Sequence, residues 1–210
     1  MVIVSLVRST RNEMFSMNDS NDLVLRAMRI AERAHRTRNA GSHFRKGPDN
    51  VDKPSYFLHL TEVAWMLQDA GYVEAVVAAG YLHDVIEDCD YTRDMLTSEI
   101  GDERVVSLVC AVTEPGRNQT WEERNAAYLR KMREASKDVL ALSCADKASN
   151  LRDMLRLNGE GHAVGAFTSR GHSSQLGKFL SLDRMYKGKV AESIYSRFRA
   201  ALNSFESSGY

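Results

Sequence analysis

Proline is scarce, cysteine is scarce, and neither sign of charge is in excess: three prolines, three cysteines, and 28 basic against 28 acidic side chains in 210 residues. Each shortage excludes something. A formal net charge of zero removes any global pull toward nucleic acid or an anionic membrane, so binding of a phosphorylated ligand has to rest on local cations. Cys89, Cys110 and Cys144 are odd in number, widely spaced, and set in or beside apolar segments. They form no paired metal-ligand spacing and read as reduced core thiols in a reducing, cytoplasmic compartment. The opening "MVIVSLV" is apolar, but no basic region precedes it and it is far shorter than a membrane span. Neither export nor membrane insertion is expected.

With few prolines, almost no strand signal and apolar residues recurring at helical spacing, the chain reads as all-α: one compact bundle of about eight or more helices. The polar "RSTRNEMFSMNDSND" shows no helical period until Asp22, so residues 1–19 are expected to be variable or poorly ordered, with Met14 or Met17 a candidate start. Residues 20–160 are expected to form the core, and 161–210 a Gly- and Ser-containing loop with two closing helices of the same domain. The first helix should begin at a cap on Ser20 or Asn21. Pro54 suits the first turn of a second helix, "SYFLHLTEVAWMLQDAG", which Gly71 ends. "VEAVVAAGYLHDVIED" is apolar on nearly all sides at its start and predicts one buried central helix.

That helix ends on His83, Asp84, Glu87 and Asp88, which on a continuous helix at about 100° per residue fall at roughly 0°, 100°, 40° and 140°. Buried charges cost several kcal/mol each unless they are paired or hold a metal. Imidazole and carboxylate together suit Mn, Fe, Co or Zn, and the lack of cysteine ligands argues against a structural zinc site. For this stretch alone, helix capping or pairing with nearby Arg and Lys is an equally good account. Two further residues shift the balance. His59 sits in the apolar "YFLHLTEVAW", where a lone histidine is more often a satisfied core residue than a ligand. Asp146 follows the buried-looking "LALSCA", where an unpaired carboxylate is costly. Together, His59, His83, Asp84 and Asp146 supply four ligands at the polar ends of three apolar helices and leave positions for water and substrate.

The order His, His-Asp, Asp resembles the ligand pattern of the HD phosphohydrolase superfamily. The stretches "FRKG", "SYFLHLTEVA", "AAGYLHDVIEDCDYT", "VCAVTE" and "CADKASNLRDM" resemble, in order across about residues 22–157, the motifs of the Rel/SpoT alarmone hydrolase domain and its small stand-alone relatives. The resemblance implies one metal, usually manganese, held by His59, His83, Asp84 and Asp146. It implies that Glu87 and Asp88 position and deprotonate the attacking water, and that Arg45, Lys46 and Asn150 bind substrate. That substrate would be guanosine tetra- or pentaphosphate, cleaved to GDP or GTP and pyrophosphate.

Without the resemblance, Arg45 and Lys46 read as solvated loop charges. Asp146, Asn150 and Asp153, at i, i+4 and i+7, share one helix face. Lys147 reads as a surface charge or a support to the site, Arg152 as a partner of a carboxylate, His35 as a packing residue of the first helix, and Trp65 and Trp121 as core or helix-interface aromatics. The chain departs from the family at Leu60, where Pro is usual, at His43, where Gln is usual, and in the insert "GPDNVDKP" beside the expected nucleotide loop. Other readings keep the fold: a phosphatase acting on an adenosine alarmone, NADPH or a deoxynucleotide, or a non-catalytic regulatory HD domain. A homo-oligomer and a functional pairing with an alarmone-synthesising toxin are further expectations.

Overall fold

The computed structural model describes residues 20–37, 44–45, 47–48, 52–114, 116, 118–166, 168 and 170–208. The expected N-terminal segment 1–19, His43, Lys46 and residues 49–51 of the insert lie outside them. The described residues form ten α-helical segments and one 3-10 turn, and their sole β feature is an isolated bridge between Phe44 and Ser55. The all-α expectation holds.

In chain order the helices are α1 (Ser20–Thr37), α2 (Tyr56–Asp69), α3 (Glu74–Leu82), α4 (Val85–Asp88), α5 (Arg93–Ile100), α6 (Glu103–Val112), α7 (Trp121–Arg133), α8 (Lys137–Gly159), α9 (His172–Tyr186) and α10 (Glu192–Ser207). Two of them carry the core. The short, nearly all-apolar α3 is surrounded by α1, α2, α6 and α8, and the long α8 packs on α2, α3, α6, α9 and α10. At the α2–α3 crossing a Cβ on Gly80 would lie 2.9 Å from Ala64 Cα, so only glycine allows this approach.

Two sequence expectations change here. Pro54 precedes the helix it was to open: Ser55 is the N-cap of α2, its hydroxyl accepting the Phe57 N–H. Leu60, where the family usually has Pro, is a fully buried core side chain at the fifth position of α2. The single helix expected over 73–88 is interrupted at His83–Asp84. The cause is local. In an unbroken helix the Gly80 carbonyl would accept the Asp84 N–H, but here it accepts Nδ1–H of His83 at 2.8 Å. The chain turns and restarts as the one-turn α4.

Trp65 is 47% exposed, with the Arg197 guanidinium 4.5 Å from its ring centroid, so it belongs to the α2–α10 surface seam and not to the core. His35 is buried and stacks on Tyr56 at 4.5 Å, the packing role expected of it. Cys144 is buried, Cys89 and Cys110 are half-buried, and all three are free thiols. No described helix is long and apolar enough to cross a membrane.

Candidate active site

Four side chains from three places in the fold converge below the Gly80 crossing. His59 Nε2 lies 3.2 Å from His83 Nε2, 3.6 Å from Asp84 Oδ2 and 3.5 Å from Asp146 Oδ1. His83 Nε2 lies 3.2 Å from Asp84 Oδ2 and 3.6 Å from Asp146 Oδ1. The helix break makes this possible. On a continuous helix His83 and Asp84 would diverge by about 100°, whereas the interrupted backbone turns both toward one point.

The proton inventory of the imidazoles is decisive. A carbonyl can only accept, so His83 carries its hydrogen on Nδ1, facing Gly80 O. His59 Nδ1 lies 2.8 Å from Ser149 Oγ, whose own hydrogen goes to Glu62 Oε2 at 2.6 Å, so His59 also donates from Nδ1. Both Nε2 atoms therefore present lone pairs to each other and to two carboxylate oxygens. Such a cluster repels itself unless a cation sits among it. Spacings of 3.2 to 3.6 Å are those of neighbouring donors about 2.1 Å from a common ion. The donor set fits a divalent metal.

Without an ion the site attracts a proton instead. Burial disfavours the His83 imidazolium, but Asp84 and Asp146 outweigh it and hold His83 well above its ordinary value. Burial likewise opposes ionisation of both aspartates. His83 then dominates at Asp84 and Lys147 at Asp146, and each carboxyl ends well below its usual range. Asp146 and the two histidines offer ligand atoms that all lie within 4.8 Å of one another. Asp84 reaches both imidazoles while also taking the Tyr56 hydroxyl at 2.5 Å.

A cleft of about 820 Å³ opens over this cluster. Glu87 and Asp88 line it, as expected from the sequence. Glu87 is raised to about 7, first by burial, then by Asp84 and Glu114, and its Oε2 accepts the Glu114 N–H at 3.2 Å. Asp88 Oδ2 lies 3.0 Å from Tyr56 Oη. Arg45 is held in the cleft wall, not solvated as a loop charge: it donates to Asn150 Oδ1 at 2.6 Å, pairs with Asp153 at 3.2 Å and lies over the Tyr56 ring at 5.3 Å. The bridge Phe44–Ser55 and the bond from Arg45 N to Pro54 O anchor it there. Asn150 also donates to Asp146, so it links Arg45 to the proposed ligand. Lys46 lies outside the described residues.

Lys147 is nearly buried and pairs with Asp146 Oδ2 at 2.6 Å, so the support reading applies and the surface reading does not. Arg152 pairs with Glu62 Oε1 at 2.5 Å, and Glu62 in turn receives Ser149, which orients His59. Sequence reasoning missed Tyr56, Glu114 and Lys178. Tyr56 and Glu114 had a signal, since "SYFLHL" and "VCAVTE" contain them and Tyr56 precedes His59 by three positions on one helix face. Lys178 had none. It sits in a plain amphipathic helix and becomes part of the cleft only because α9 packs on α7 and α8.

A helical cleft over two histidines and two aspartates drawn from three helical segments has the make-up of an HD-type site. The sequence profile described as "HD domain" matches residues 27–166, and the chain belongs to that family. Among curated proteins it is 36% identical over 138 residues to a Streptomyces coelicolor GTP pyrophosphokinase, covering 64% of this chain and 15% of that one. It is 29% identical over 147 residues to a Xenopus tropicalis guanosine-3′,5′-bis(diphosphate) 3′-pyrophosphohydrolase, covering 69% and 76%. The chain spans 14% and 15% of the lengths of the first curated relatives it matches. A solved structure of a metazoan SpoT orthologue described as hydrolysing ppGpp superposes with a TM-score of 0.68 over 86% of this chain and 94% of that one, at 21% identity. That likeness establishes the shared fold.

Proposed function

We propose that this chain is a metal-dependent pyrophosphohydrolase that removes the 3′-pyrophosphate of guanosine tetra- or pentaphosphate, leaving GDP or GTP. The observation that carries this reading is the convergence of His59 Nε2 and His83 Nε2, each ring bonded through its Nδ1, with Asp84 and Asp146 beneath a nucleotide-sized cleft. Relatives named for the same reaction, including a small protein of which this chain covers 76%, support the substrate class.

His59, His83, Asp84 and Asp146 would hold the ion. Nitrogen and oxygen donors without thiolate suit manganese, the ion expected from the resemblance, and also iron, cobalt or zinc. When bound, it supplies positive charge at the reacting phosphate and acidifies water. The chain's own residues do the rest. Glu87, aligned by the Glu114 amide and poised near 7, accepts a proton from water as the water oxygen joins the 3′-phosphorus. The bond from phosphorus to the ribose 3′-oxygen breaks, and that oxygen takes up a proton, so water is divided between GDP and pyrophosphate. Asp88, fixed by Tyr56, orients the water, and Arg45 with Asn150 meets the anionic nucleotide.

Incubating metal-stripped protein with guanosine 3′,5′-bispyrophosphate, with and without manganese, tests the reading. Manganese-dependent release of GDP and pyrophosphate that disappears in Asp84→Ala supports it. No turnover by folded, metal-loaded protein overturns it.

A further inference from the structure

A second cationic group lies in the cleft beyond the residues assigned so far. Lys147 of α8 and Lys178 of α9 both line it, and their ammonium nitrogens sit 5.1 and 5.4 Å from the centroid of the same buried Tyr128 ring. Tyr128 is itself pinned: its hydroxyl meets Ser143 Oγ at 2.6 Å, which meets Tyr186 Oη at 2.6 Å. The pair is therefore mounted on a rigid floor, unlike the mobile lysines of a surface.

Its neutralisation is incomplete. Lys178 pairs with Glu114 at 2.6 Å, but the partner of Lys147 is Asp146, whose charge is also committed to the proposed ion. Each ammonium group thus has one bonded carboxylate, and only that of Glu114 lies outside the proposed ligand set. Burial, and after it Lys147, keeps Lys178 below its ordinary value in spite of Glu114. A buried cationic pair lining an open cleft is complementary to a ligand anion. Asn150, which holds Arg45, donates to Asp146 Oδ1 and Lys147 donates to Oδ2, so the two cationic groups lie on either side of this carboxylate.

We propose that Lys178, with Lys147, binds the distal phosphate of the 3′-pyrophosphoryl group, and that Glu114 is the placeholder which that phosphate displaces from Lys178. The assignment rests on the hydrolase reading and deepens it. Among the hydrogen bonds and ion pairs of Lys178 there is none to a proposed metal ligand, so its position suits a phosphate one link beyond the reacting phosphorus. The consequence is selectivity: Lys178 favours substrates that carry two phosphates at the 3′ position over those that carry one.

The experiment compares kcat/KM for guanosine 3′,5′-bispyrophosphate with that for guanosine 5′-diphosphate 3′-monophosphate in the full chain, Lys178→Met, Lys178→Arg and Glu114→Gln, beside calorimetric titration with inorganic pyrophosphate. The expected result is a loss of about tenfold or more in the ratio of the two substrates for Lys178→Met, with most of it restored in Lys178→Arg. Glu114→Gln should tighten pyrophosphate binding severalfold, because the placeholder charge is gone. An equal loss on both substrates, no loss, or unchanged pyrophosphate binding in Glu114→Gln overturns the proposal. If the wild-type chain hydrolyses neither substrate, the hydrolase reading has failed. Pyrophosphate titration then decides the subsite alone: binding that weakens about tenfold in Lys178→Met supports it, and equal or absent binding overturns it.

Discussion

His59 Nε2 and His83 Nε2 face each other at 3.2 Å with both ring hydrogens committed to the opposite nitrogens. The contact joins α2 to the residue that caps α3, through nitrogens that bind either a proton or a metal ion. Supplying manganese at about 100 times its Kd should therefore stabilise the protein by about 2.7 kcal/mol. Thermal or urea unfolding with and without chelator measures this, and His83→Ala should show no metal dependence.

Ser149 sets the tautomer of His59 from the far side of the ring and is aligned by Glu62. Ser149→Ala leaves His59 Nδ1–H without that acceptor and the ring free to rotate. A loss of about 10 to 100-fold in metal affinity is expected, read by competition against a chromogenic chelator. Affinity equal to wild type would show that the tautomer is set elsewhere.

Glu87 gives a pH signature with a definite sign. Its folded value, about 7, lies above its ordinary 4.5, so its favourable contribution to stability is complete below 4.5 and is lost as pH rises through about 7. In metal-free protein Glu87→Gln should gain on wild type across this window, by up to about 3 kcal/mol, in unfolding curves taken at several pH values. The same variant should lose about 100-fold or more in kcat, because glutamine accepts no proton. A bound cation lowers the Glu87 value, so the rising limb of the wild-type activity profile should lie below 7.

Gly80 serves twice, as the close contact of α2 with α3 and as the owner of the carbonyl that breaks the helix. Gly80→Ala places a methyl against the Ala64 backbone, which cannot retreat as a flexible side chain could. A loss of about 1 to 3 kcal/mol in urea unfolding is expected, with weaker metal binding as His59 and His83 separate.

How much of this was legible in the chain follows from the range of each interaction. His59, His83, Asp84 and Asp146 stand out locally, since each puts an ionisable group at the end of an apolar helix where burial is costly. The helical pattern itself is local too, and α1 and α2 lie within a residue or two of where capping and periodicity place them. The break at His83–Asp84 was not legible, because it depends on a side chain outcompeting a backbone donor for the Gly80 carbonyl.

By itself the sequence determined the helical class and singled out His59, His83, Asp84, Asp146 and the Glu87–Asp88 pair as candidates, because periodicity and the cost of burying charge act over one or two turns. Only the tertiary structure decided which ring nitrogens face the two aspartates, that Arg45 is locked to Asn150 and Asp153, and that Lys178 joins Lys147 over Tyr128. Those outcomes depend on how α2, α7, α8 and α9 pack. Residues as far apart as 59 and 149, or 114 and 178, acquire their hydrogen bonds and charges from one another only after the chain has closed around them.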